Sequence, residues 1–232
     1  MTVPAELVPG IHSWTTPHPE YRTAAEEVVS YALLLGHVAA LVDPLVPPEQ
    51  DPEHDAVLAG LDRLVLGASR LELLVTIPYH ARSTELLFER YWGRLATRVW
   101  GHAAVRKRFA WDTPLNEIPK AKAGQGVEIA GGVAEAWAIG NPRRYETPLY
   151  FPDLRALAFG DAVVALESGE LRVWDQSGGS PDWYERRLLP TLKPLAALDV
   201  ERVLVTHGAP VLRDGRRALE DAFAAPPVPM YW

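Results

Sequence analysis

The sequence predicts an α/β fold, and three observations predict it. The stretch Leu71–Leu87, LELLVTIPYHARSTELL, reads as a buried strand that runs through a loop into a helix. Strand patterns open the chain, a pair of helical patterns is set among them, and strand patterns return after it. Of 232 residues, 48% are hydrophobic and 23% charged, which supplies a large core and carries no signature of disorder. One domain spanning 1–232 is the simplest count for this length.

Val28 to Gly36 and Val38 to Val42 are apolar and rich in β-branched residues, as two strands would be, and the Gly36-His37 pair between them suits a tight hairpin. His37 is a turn residue in this reading. Pro44, Pro47, Pro48 and Pro52 then interrupt regular structure, and Asp51 with Pro52 forms a helix start whose apolar face is Leu58, Leu61, Leu64 and Val65. Leu71, Leu73, Leu74 and Val75 make a short apolar run that fits a strand covered on both faces and ending near Thr76. Pro78 has no backbone donor and disfavours helix at Ile77, so Ile77 to Arg82 is a loop at the strand's carboxyl end. Ser83 or Thr84 caps the next helix, in which Leu87, Tyr91 and Leu95 recur every four residues.

Thr97 to Trp100 reads as a short strand, and Asp112 to Gly126, with its prolines and glycines, as a surface loop. Val127 to Ile129, Val133 to Ile139, Leu149 to Phe151 and Leu154 to Phe159 form strands of a second sheet. Ser180-Pro181-Asp182 opens a helix with a polar cap, a proline at its first position and an acid at the positive end of the dipole. Pro190 and Pro194 should kink or divide it. Val203 to Val205 is the last core strand, and Arg213 to Phe223 the last helix.

A net charge of -7 argues against bulk affinity for nucleic acid or an anionic membrane. Arg106, Lys107 and Arg108 form the only basic cluster, joined by Arg94, Arg98 and His102. Trp92, Trp100 and Trp111 nearby have the stacking faces that single-strand binders use, yet they read better as core residues behind a solvated face. The chain has no cysteine, so any metal would need nitrogen or oxygen ligands. No apolar run approaches the roughly 18 residues of a membrane span and the first residues carry no signal-peptide pattern, so a cytoplasmic location is expected. Gly-x-Ser-x-Gly, the phosphate-binding Gly-x-x-x-x-Gly-Lys and a convincing dinucleotide fingerprint are all missing. Gly124-Gln125-Gly126 and Gly131-Gly132 read as turns.

In open α/β sheets ligands gather at the carboxyl ends of strands, which directs attention to Ile77–Arg82. Three further stretches bear on the same question: YALLLGHVAALVDP at Tyr31 to Pro44, ALAFGDAVV at Ala156 to Val164, and ALDVERVLVTHGAPV at Ala197 to Val211. Together with VPGIHSW at Val8 to Trp14, they resemble, in order, the motifs of the metallo-β-lactamase superfamily. The resemblance implies a four-layer αββα sandwich of two mixed sheets flanked by helices. It also implies metal-binding roles for Asp161, at the end of the Gly-Asp strand, and His207, in the His-Gly pair.

The family's strand ending in Thr is followed by His-x-His-x-Asp-His, and here the chain departs. Laid from Thr76, the ligand positions fall on Ile77, Tyr79, Ala81 and Arg82, and none is a ligand. The region AIGNPRRYETPLYF, where the family carries a further histidine, contains none. His80, one residue past Tyr79, is the nearest substitute. A guanidinium at Arg82 would repel a cation. The expectation is therefore a degenerate metal site without a cofactor, in a protein that binds a small molecule or a partner and does no zinc hydrolysis. The alternative is a hydrolase with a single zinc, manganese or iron ion held by His80, Asp161 and His207.

Overall fold

Residues 3–17, 27–140, 145–175 and 181–229 are described by the structure, a computed structural model. They fall into two compact units, Met1–Glu117 and Ile118–Trp232.

The first unit is a seven-stranded mixed sheet with two helices. Strands β1 (Ala5–Val8), β2 (Ile11–Pro17), β3 (Glu27–Leu35) and β4 (Val38–Val42) form an antiparallel meander. Strands β5 (Arg70–Val75), β6 (Ala96–Gly101) and β7 (Asn116–Glu117) then continue the sheet in parallel from β4. The β3–β4 hairpin turns at Gly36 and His37, as its sequence requires, with Gly36 at a φ of +60°. Helix α1 (His54–Val65) makes the crossover from β4 to β5, and α2 (Thr84–Tyr91) the crossover from β5 to β6.

Side chains alternate across a strand, so Leu71 and Leu73 pack with Val57, Leu61, Leu87 and Tyr91 of the helices. Glu72 and Leu74 project to the other face. Glu72 is fully buried; its carboxylate accepts from Arg98 and from the Trp100 indole at 2.8 Å, and Arg70 forms an ion pair with it at 2.8 Å. A second ion pair ties the helices together: Asp62 of α1 meets Arg90 of α2 through two bonds of 3.0 and 2.6 Å and accepts from the Tyr91 hydroxyl at 3.0 Å. Bonding to Arg90 holds the Asp62 carboxyl below its ordinary value.

Several local expectations need correction. Helix α1 begins three residues after Asp51, because the Asp51 carboxylate accepts from Glu53 N at 2.8 Å and closes a turn in front of the helix. Ser83 precedes α2 without capping it, since its hydroxyl accepts from Val46 N at 2.9 Å instead. Leu95 lies past the end of α2, where Gly93 takes a φ of +80°, although it still packs on the core. Trp92 and Trp111 are 63% and 52% exposed and do not face the core.

In the second unit, β8 (Gly126–Ile129), β9 (Ala134–Trp137), β10 (Leu149–Phe151) and β11 (Ala156–Phe159) run antiparallel. A smaller sheet holds β12 (Val163–Ala165), β13 (Leu171–Asp175) and a strand at Val228–Pro229. Strand β14 (Arg202–Val205) returns to lie parallel to β11 at the edge of the larger sheet. The expected helix after residue 180 is divided, as its prolines demand: α at Pro181–Trp183, π at Tyr184–Leu188, α at Leu189–Leu192 and 3-10 at Lys193–Ala197. Its expected cap, Ser180, lies outside the described residues. Leu188, Leu192 and Leu195 from this run meet Leu157, Phe159, Val203 and Val205 of the sheet, and Leu219 and Phe223 of the final helix, Gly215–Ala224, complete the core.

Two predictions concern stability. Glu72→Ala leaves Arg98 and the Trp100 indole without their buried acceptor and should lower unfolding stability by about 3 kcal/mol in denaturant titrations, with Arg98→Ala costing less. For Asp62, a depressed carboxyl value adds stability that is full above the unfolded value of 3.8 and disappears as pH falls through the folded value. The stability difference between wild type and Asp62→Asn should therefore be constant above about pH 5 and shrink below it, measured by urea unfolding across pH.

Candidate functional site

The carboxyl edge of β4 and β5 is organised by Asp43. Asp43 follows β4, leaves the strand with a φ of +47°, and is 1% exposed. An isolated carboxylate at that depth would be costly, so its oxygens must be met. Thr76, directly after β5, donates its backbone N–H at 2.8 Å and its hydroxyl, and His80 donates from Nδ1 at 2.9 Å. A carboxylate can only accept, so this bond places a proton on Nδ1 and makes Nε2 the ring nitrogen for any further partner.

Between Thr76 and α2 the loop winds through a 3-10 turn, Pro78–Ala81, closed by His80 N donating to Ile77 O at 2.8 Å. Proline at the first position of the turn costs no bond, which is why the sequence breaks there. Arg82 then takes a φ of +37°, a region that side chains rarely occupy, and its Nη1 donates to the Asp43 carbonyl at 3.2 Å. Ser83 N donates to Pro44 O at 3.1 Å. Both ends of the loop are thus stitched to the residues after β4.

The candidate residues of the loop separate clearly. Ile77 is buried and apolar, and His80 is 5% exposed and held by Asp43. Tyr79 is 67% exposed, with the Arg108 guanidinium 4.1 Å above its ring.

In the second unit, Asp161 and His207 follow the parallel neighbours β11 and β14, so both stand at the carboxyl edge of one sheet. His207 Nε2 lies 3.5 Å from Asp161 Oδ1, an ionic contact when the ring is protonated and long for a hydrogen bond. The Trp174 ring stands edge-on to the imidazole at 5.3 Å. His207 is fixed through its backbone, because its carbonyl accepts from Ala165 N at 2.9 Å. Gly208 makes that approach possible: its φ is +85°, and a Cβ there would sit 2.3 Å from the Ala165 carbonyl oxygen. The turn that carries Asp161 is held by Glu146, which is 2% exposed and accepts from Gly160 N at 3.1 Å and Ala162 N at 2.9 Å through one oxygen.

Asp43, Thr76, Glu146 and Trp174 escaped the sequence reading as site residues. A signal existed for two of them: Asp43 is an acid at the end of an otherwise apolar strand, and Glu146 an acid just before another.

The first loop lacks the donors of the paired-metal centre that the sequence resemblance implies. Its first-loop positions hold an aliphatic side chain at Ile77, an exposed phenol at Tyr79, a methyl at Ala81 and a cation at Arg82. Described donors of the right chemistry are the imidazoles of His80 and His207 and the carboxylate of Asp161.

No protein-family model matches the sequence, and no curated protein matches it. Solved structures do match. A metallo-β-lactamase from Erythrobacter litoralis is 15% identical, with 95% of each chain covered and a TM-score of 0.63. A β-lactamase domain protein from Burkholderia ambifaria is 20% identical over 95% of this chain and 74% of its own, with a TM-score of 0.60. A metallo-β-lactamase family protein from Thermus thermophilus is 19% identical over 94% of this chain and 80% of its own, with a TM-score of 0.56. Matches of this extent, on an α/β chain whose strand-end motifs follow the expected order, establish that the chain has the metallo-β-lactamase fold.

Proposed function

We propose that this protein keeps the metallo-β-lactamase fold as a binding scaffold for a small molecule or a partner and does not carry out two-zinc hydrolysis. The composition of the Ile77–Arg82 loop carries the reading. A two-metal site needs a cluster of imidazole and carboxylate donors to activate water and to clamp the leaving oxygen. Ile77, Tyr79 and Ala81 offer no such donor, and Arg82 brings a fixed positive charge engaged with the Asp43 carbonyl. Purified protein should hold well under one equivalent of zinc after incubation with excess zinc and desalting, measured by elemental analysis, and should show no metal-dependent hydrolysis of β-lactam substrates.

A second reading is favoured by one observation, the Asp43–His80 bond. Histidines that ligate metal commonly donate their other ring nitrogen to a carboxylate, which fixes the tautomer and raises ligand basicity. His80, Asp161 and His207 are the residues that would hold one zinc, manganese or iron ion in this reading, and a bound ion would supply Lewis acidity and an activated water. Near-stoichiometric metal that is lost in His80→Ala would establish it over the first.

Nucleic acid has no part in either reading. The basic side chains around Arg98 have partners in their own unit: Arg98 with Glu72, Arg106 with Glu117 at 3.8 Å, and Arg108 over Tyr79. Binding to single-stranded oligonucleotides should be undetectable at 150 mM salt. Binding that weakens steeply with salt and disappears in Arg106→Glu with Arg108→Glu would overturn this.

A further inference from the structure

We propose that Glu146 is the positioning residue for Asp161, holding the turn that presents the Asp161 carboxylate to His207. The inference rests on the reading that Asp161 belongs to the functional site. One carboxylate oxygen of Glu146 accepts from Gly160 N and Ala162 N, the amides immediately before and after Asp161. A single acceptor shared by those two amides restricts the backbone dihedrals of Gly160 and Asp161 together. Rotation of either peptide plane would break one bond while leaving a buried charge to carry the loss.

The holder is itself rigidly placed. Glu146 leads into β10, which pairs with β11, and Pro148 just after it accepts from Trp137 N at 2.9 Å in the strand on the other side. The turn is therefore held by an anchor three residues from a strand that flanks its own strand. The arrangement is also chemically specific. Apolar packing would have kept the turn compact, whereas a buried carboxylate costs desolvation and is compensated here by donors flanking the residue in question. A side chain with an acceptor but no charge keeps the geometry and loses the charge assistance, so Glu146→Gln and Glu146→Ala separate the two contributions.

The experiment uses the full chain as wild type, Glu146→Ala, Glu146→Gln and Asp161→Ala. Amide hydrogen exchange followed by NMR reads the two bonds directly, and three-bond couplings read the Asp161 side-chain rotamer. In Glu146→Ala, the Gly160 and Ala162 amides should exchange at least about tenfold faster while β10, β11 and β14 keep wild-type protection, and Asp161 should average over rotamers. Glu146→Gln should restore most of the protection and the single rotamer, and it remains informative if the alanine variant does not fold. Zinc and manganese titrations form a separate arm. If wild type binds either ion, Glu146→Ala should weaken it by about 10- to 100-fold, as removal of an outer-shell partner does, with Glu146→Gln between. Wild type that binds neither ion rejects the single-ion reading alone, and the exchange and rotamer data still decide the role of Glu146. Unchanged exchange and an unchanged Asp161 rotamer in Glu146→Ala would overturn the proposal, as would an equal loss of protection across the whole second unit.

Discussion

The buried carboxylate of Asp43 is the constraint to which the first unit's strand ends answer. With 1% exposure it must collect donors, and it draws them from the next strand, through Thr76, and from the loop beyond, through His80. Its own carbonyl takes a further bond from Arg82. One residue therefore settles where β5 ends, how the loop turns and which way the His80 ring faces. Hydrogen bonds to a charged group contribute roughly 1.5–3 kcal/mol each, so three of them on one carboxylate can hold Arg82 in an unfavourable backbone conformation that would relax if it stood alone.

Glu146 applies the same principle in the second unit, at a different kind of junction. Asp43 sits on a strand end and gathers the neighbouring loop, whereas Glu146 sits ahead of a strand and receives a turn from its partner strand. In both places a buried acid satisfied by hydrogen-bond donors stands one step behind a candidate site residue, His80 in one unit and Asp161 in the other.

Much of the fold was legible because it rests on local rules. Apolar runs bounded by proline and glycine marked the strands, and Gly36-His37 and the prolines at 190 and 194 acted where their backbone restrictions demand. The placement of Asp161 and His207 at the ends of neighbouring parallel strands was legible through strand-end motifs. The supporting acids were not, because an aspartate after Val42 or a glutamate before Thr147 acquires its meaning only when a segment distant in sequence delivers its donors. Ser83 was misread for a related reason: its hydroxyl was claimed by Val46 N, which no local pattern announces. Trp92 and Trp111 show the opposite error, in which an apolar residue type was taken as sufficient reason for burial.

The separations spanned by the two carboxylates carry a consequence for the order of folding. The Asp43–His80 bond closes a segment of 37 residues that contains the α1 crossover and a parallel strand pairing, while the Glu146–Ala162 bond closes one of 16 residues containing a simple antiparallel pair. Loop-closure entropy rises with the length of chain enclosed, and parallel pairing has to wait for its crossover to form. The Asp161 turn can therefore take its native shape early, on local contacts alone, and the His80 loop must be among the later parts of the first unit to acquire its final geometry.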